Sequence, residues 1–384
     1  MNAVFAWVLA LMAVVAPPAF ADSGDDPVAL AALLVQDGHW DRARSVLASI
    51  DEDDPKLDRV RLNATRGLIA LYDRDAPAAI GAFERSLAAA VDADDPEPSE
   101  AAVHLYLARA HMMAEQPARA LASIASSGSV ADEHVVGWRI RVDANRMLNR
   151  HRAGWDASER GRAAFPEAGS LIASHVELAL AMGMIIEARV SAVAAIQATD
   201  ISADQARDLG LRFRTAEALE DALHVLEAAM LVHPEDLKIR VASAAVALEL
   251  NRPAVGGRLL QVAAEHDLAY AIEAAEAYRR AGMLTSALYM NSQADDGPEK
   301  ARQRLGLLLE AESFEAARSL ESRFVRMNIL DDDQVRYGLA YAHFRQGDLD
   351  RAEGLLSLIQ SPTIFAQSVG LREAIAECRA SPCL

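Results

Sequence analysis

The chain has 384 residues, 52% of them hydrophobic but only 5% aromatic, and a formal charge of −18. Its apolar set is mostly Ala and Leu, which suits close-packed helices and disfavours a β-sandwich, whose strands want β-branched and aromatic residues. The acidic balance, 56 acids against 38 bases with Lys only at 56, 238 and 300, argues against nucleic acid as a partner, because phosphate binding needs a basic surface.

Residues 1–21 carry no charged side chain: an apolar run from Val4 to Val15 precedes Pro17-Pro18 and then Ala19-Phe20-Ala21. Small residues at the first and third places before Asp22 fit a signal-peptidase site, and the run is too short for a stable bilayer span. The expectation is a signal peptide over 1–21, a periplasmic or secreted protein, and no transmembrane anchor after its removal. The first three residues lack the Lys or Arg of an ordinary leader, and an uncleaved anchor is the rival reading.

From Pro27 onward the apolar pattern has a helical period. Small residues recur at Ala43, Ala79, Ala120, Gly154, Ala188, Ala222, Gly256, Ala287, Ala317 and Ala352, four of the intervals being 34 residues. Twelve residues earlier stand Ala31, Gly67, Ala108, Val142, Val176, Gly210, Ala244, Ala275, Leu305 and Ala340. Small side chains let two antiparallel helices approach closely, while Leu47, Phe83, Ile124, Leu226, Leu260 and Leu356, one turn further on, fill the flanking holes. Pro55, Pro166 and Pro234 stand where a helix pair should stop.

The period, and the run from Leu339 to Ala352 in particular, resembles the tetratricopeptide repeat (TPR) family, a helix–turn–helix unit of 34 residues. The resemblance implies an all-α fold. It would be an α-solenoid, a right-handed superhelix of about ten repeats over residues 27–360, with a capping helix and tail over 361–384. Leu305 and Phe324 replace small residues in the ninth repeat, which is therefore the weakest, and Asp92 to Pro98 reads as an inserted acidic loop. In the tail, Ile364, Phe365, Val369, Leu371 and Ile375 make an amphipathic cap, as required where stacking stops. Cys378 and Cys383 follow, either as a short-range disulfide or as two free thiols.

Catalytic patterns are absent. The ten His show no paired-ligand spacing, and there is no G-x-S-x-G elbow, phosphate loop or dinucleotide fingerprint. The acidic clusters at 51–54, 92–95 and 331–333 lack the Gly and terminal Glu of a calcium loop and read as helix caps and solvated turns. No enzyme activity, cofactor or metal is expected.

In the TPR family the first helix of each repeat lines the concave surface. Carried onto this chain, the resemblance places Arg109, Arg139, Asp143, Arg146, Arg207 and Arg214 there, interrupted by Glu177 and continued by Arg279, Arg280 and Arg302. Guanidinium groups suit carboxylate-bearing ligands through paired hydrogen bonds. The alternative is a solvated face of Arg–acid pairs. In the tenth repeat Tyr337, Tyr341 and Phe344 occupy inner-face positions, either as core or as an apolar contact patch. The resulting expectation is a non-catalytic scaffold holding a protein or peptide segment, of acidic character, in its groove, within an envelope assembly, export or transport machine. A receptor for an anionic polysaccharide is the second reading.

Overall fold

The computed structural model describes residues 26–91, 98–198 and 201–381. The leader with its cleavage point at Asp22, the acidic segment 92–97 and Cys383 lie outside the described residues. The chain divides into two compact units, Met1–Ile201 and Ser202–Leu384. Unit 1 pairs α1 (Pro27–Gln36) with α2 (Trp40–Ala48), α3 (Arg59–Tyr72) with α4 (Ala76–Ala90), and α5 (Glu100–Met113) with α6 (Pro117–Ser126). It continues with α7 (Val135–Met147) and α8 (His151–Ala164), then α9 (Gly169–Ala181) and α10 (Ile185–Ala198). Unit 2 pairs α11 (Ala203–Thr215) with α12 (Leu219–Val232), α13 (Leu237–Glu249) with α14 (Pro253–Ala264), and α15 (Ala271–Arg280) with α16 (Leu284–Gln293). Next come α17 (Pro298–Glu310) with the short α18 (Phe314–Ser319) and α19 (Glu321–Arg326), α20 (Asp333–Arg345) with α21 (Leu349–Ser357), and finally α22 (Pro362–Ala380). No strand occurs among the described residues. Each unit is an all-α solenoid.

Local chemistry sets the helix ends. Asp58, Ser99, Asp236 and Ser361 each accept a hydrogen bond from a first-turn amide, and Ser202 forms a full capping box with Gln205. The turn inside every pair is the same. Gly38, Arg74, Glu115, Asn149, Gly183, Glu217, Asn251, Gly282, Glu312 and Gly347 all have positive φ, each five residues before the small position of its second helix. The amide of the following residue donates back into the first helix, from His39 N to Leu34 O at 2.7 Å up to Asp348 N to His343 O at 3.0 Å. This is the Schellman stop, which satisfies carbonyls a helix end otherwise leaves open.

The ten small positions on the second helices are all buried. The glycines at the first-helix positions, Gly67 and Gly210, do not meet small partners, however. A Cβ on Gly210 would lie 2.5 Å from Leu226 Cγ, and one on Gly67 would enter the ring of Phe83. Each glycine is the socket for the large residue one turn along the partner helix. The weak ninth repeat is distorted as its sequence implies. Its second helix breaks at Leu320, and Phe324 is wholly buried where most other repeats carry a small residue. In the cap, Leu371 and Ile375 join the core of the last repeats, but Phe365 and Val369 remain 48% and 41% exposed. Arg372 covers the Phe365 ring at 4.7 Å while donating to Ser368 Oγ. Cys378 lies near the end of α22, and its pairing with Cys383 falls outside the described residues.

Within each unit the first helices of successive repeats touch one another: α1 with α3, α5 with α7, α7 with α9, α11 with α13, α17 with α20. Second helices show no comparable mutual contact among the described residues. The first helices are therefore the inner layer.

Candidate functional site

In unit 1 the inner layer gathers Arg109 from α5, Arg139, Asp143 and Arg146 from α7, and Ser174 and Glu177 from α9. Arg139 Nε lies 3.8 Å from Asp143 Oδ2, and Arg146 Nη2 lies 3.2 Å from Glu177 Oε2. Glu177 is thus the counter-ion of the row, not an interruption. Arg109 is different. It is half-buried, and among the described residues it has neither a hydrogen bond nor a carboxylate partner. Burial first, and then the neighbouring Arg139, push its guanidinium below the ordinary value, because both disfavour its charge. Burial pushes Arg139 the same way, against Asp143 and Glu177. Asp143 is held above the usual carboxylate range by burial, with Glu177 adding, while Ser174, Arg139 and Arg146 pull it down. Its Oδ1 is buried without a hydrogen-bond partner, as is Arg146 Nε. Three guanidiniums thus face two carboxylates, and the surplus cation is the unpartnered one.

Unit 2 carries the other predicted arginines, of which Arg207, Arg214, Arg279 and Arg302 are paired with acids. Arg207 bonds Asp204 at 2.7 Å and Asp208 at 2.9 Å, and Arg214 Nε bonds Glu249 at 3.1 Å. Arg279 bridges Glu276 and Glu310, and Arg302 Nε reaches Asp332 at 2.9 Å. Arg146–Glu177, Arg214–Glu249, Arg279–Glu310 and Arg302–Asp332 each link one first helix to the next. In this unit the row is a ladder of Arg–acid pairs between repeats, the solvated-face alternative.

The three aromatics of the tenth repeat separate. Tyr337 and Tyr341 line a cleft of about 410 Å³ between α17 and α20. Phe344 packs half-buried against the repeat core. Arg345 stacks over Phe314 at 4.2 Å and donates to Tyr341 Oη at 2.9 Å.

Two polar clusters escape sequence reading. Ser158 Oγ lies 2.9 Å from His175 Nδ1, and Arg162 Nη1 lies 3.2 Å from His175 Nε2. A guanidinium only donates, so Nε2 must accept and Nδ1 carries the proton toward Ser158. The imidazole then has no lone pair with which to activate the serine, and both residues are buried. The pair is a polar clamp between α8 and α9. Elsewhere His343 sits between Glu321 Oε2 at 2.9 Å and Asp348 Oδ2 at 3.1 Å, tying α19 to the α20–α21 turn. Among the described residues no group of three or more His, Cys, Asp or Glu is placed to hold a metal. No described helix is long and apolar enough to cross a membrane.

Among solved structures the chain is similar to a thermophilic TPR protein from Thermus thermophilus, with 18% identity, 49% of this chain and 99% of that one covered, and a TM-score of 0.38. A tetratricopeptide repeat protein from Parabacteroides merdae gives 12% identity, 74% and 99% coverage, and a TM-score of 0.34. Yeast Tom70 gives 16% identity, 94% and 92% coverage, and a TM-score of 0.32. At these scores none of them bears on what this chain binds. No curated protein matches the sequence. The family model for the tetratricopeptide repeat matches residues 64–127 and 307–366, the second to third and ninth to tenth helix pairs. Those two segments match the tetratricopeptide repeat family, and the helix pairs between them carry the same turn; the repeat fold suggests a protein-interaction scaffold.

Proposed function

We propose that the protein is an exported, non-catalytic scaffold whose unit 1 groove binds an acidic protein segment at Arg109, Arg139 and Arg146, within an envelope assembly, export or transport machine. The uncharged apolar leader ending at Ala21 supports export. The observation that carries the binding reading is the half-buried guanidinium of Arg109, which lacks a counter-charge while its neighbours have theirs. A buried charge is costly unless paired, and a ligand carboxylate supplies the missing partner through charge-assisted hydrogen bonds.

The test uses the chain without its leader and a fluorescent decapeptide of alternating Glu and Ser, followed by anisotropy. We expect saturable binding, at least tenfold weaker for Arg109→Gln, with an unchanged or slightly higher melting temperature because an uncompensated charge is removed. Equal binding by the variant overturns the site. If the peptide fails and a sulfated polysaccharide binds with a steep salt dependence, the polyanion reading replaces it. For export, a tagged full-length chain should be recovered outside the cytosol beginning at Asp22, and recovery of intact Met1 in the cytosol would refute it.

A further inference from the structure

We propose that the protein assembles head to tail with further copies of itself: the open face of its last helix, α22, packs on the open face of α1 in the next copy. The face of α1 is the one that receives a preceding repeat. Leu33 stands two residues after the small position of its helix, and its counterparts Ile69, Leu178 and Leu307 join the core of the pair before their own. That place is buried in each later pair except at Arg212. Leu30 corresponds in the same way to Leu107, Leu209 and Leu339, all buried. In α1, Leu30 and Leu33 are instead 44% and 42% exposed.

The end of a soluble solenoid carries a polar outer face, yet α1 has no charged side chain from Pro27 to Gln36. Once the leader is removed after Ala21, on which this assembly depends as the export reading does, only residues 22–25 precede the Asp26 cap. That is too little chain to supply a covering helix. The cover therefore comes from another molecule.

The other end of the same chain supplies the matching helix. α22 touches both α20 and α21, as α20 touches α17 and α18 before it, so it takes the place of a first helix. No second helix follows it among the described residues. Leu371 and Ile375 face the preceding core, which leaves Phe365 and Val369 on the open side. Beside them Ala366 and Gly370 allow close approach, since a Cβ on Gly370 would meet nothing within 4 Å. Within each unit first helices stack on first helices, and α22 of one copy on α1 of the next continues that stacking. Removal of Leu30, Leu33, Phe365 and Val369 from water drives it. The contact is heterologous, so it joins two different faces and leaves one of each kind open at the ends of a growing assembly.

The test is sedimentation velocity of the chain beginning at Asp22, over a dilution series. We expect the mean mass of wild type to rise with concentration. Leu30→Glu with Leu33→Glu closes one end, and Phe365→Glu with Val369→Glu closes the other. Each double variant alone should stay monomeric, since its new carboxylates would be buried unpaired in the contact. Equal amounts of the two should form a dimer and nothing larger, because each keeps the face the other lacks. These positions are exposed in the single chain, so melting should be unchanged; should a Glu pair melt lower, Gln at the same positions replaces it in the same mixing. Arg109→Gln should assemble like wild type, which separates this contact from the unit 1 groove. Wild type that is monomeric at every concentration overturns the proposal and leaves α1 to a different partner. So does a dimer that survives the α22 variant, is lost in the α1 variant and is not restored by mixing, the mark of a contact between two α1 helices.

Discussion

Glu217 holds φ at 59° in the turn between α11 and α12, a conformation glycine adopts freely and other residues adopt at a cost of about 1–2 kcal/mol. Its counterparts Gly38, Gly183, Gly282 and Gly347 avoid that cost. Glu217→Gly should therefore stabilise the chain by about 0.5–1 kcal/mol after the extra unfolded-state entropy of glycine is subtracted, visible as a higher urea midpoint. His175 predicts the pH response of unit 1. Burial, and then Arg162, push it from 6.5 down to about 4. Between those values the unfolded chain binds the proton and the folded chain does not, so stability rises with pH. The contribution, on the order of 3 kcal/mol, is complete above pH 6.5 and lost as pH falls to about 4. Melting of wild type over that window should show the loss, and His175→Gln should flatten it. No sequence pattern announces this residue: Ser158, Arg162 and His175 lie on two helices of adjacent repeats, and their roles follow only from which atom faces which.

Among the elements, the helix pairs, their register and the broken ninth repeat are legible in the sequence, because close helix approach demands small residues at a fixed period. What those residues face is not legible. Gly210 receives Leu226 rather than Ala222, so Gly210→Ala should cost about 1–2 kcal/mol despite its better helix propensity, since the Cβ would press on a branched carbon 2.5 Å away. A chemical denaturation midpoint at or above wild type would show that α11 and α12 are not packed this way. The acid partners of the arginines were equally hidden. The inner-face positions are assignable, but the pairs that link one repeat to the next come from residues about 30–35 positions apart, and only stacking aligns Arg146 with Glu177 or Arg279 with Glu310. Such exposed or half-exposed pairs contribute about 0–1 kcal/mol each; they fix register between first helices more than they hold them together. Arg109 stands out only once its neighbours are seen to be paired.

At the scale of the whole chain, two compact units each carry their own core, so unfolding has no reason to be a single cooperative step. The repeated turn has a mechanical consequence. Each helix pair closes on itself through its own left-handed stop, and the main contacts reach only to neighbouring elements. No strand pairing or distant crosslink among the described residues shields one pair from tension applied at the chain ends. Stretched between the two arms of an optical trap, the protein should lengthen in small successive steps, each releasing about one repeat. A full release of 34 residues corresponds to roughly 110–120 Å of extended chain. On relaxation the steps should close again within the same instrument cycle, because each pair needs only local contacts to re-form. A scaffold of this kind yields under load without coming apart, and recovers its length when the load is removed.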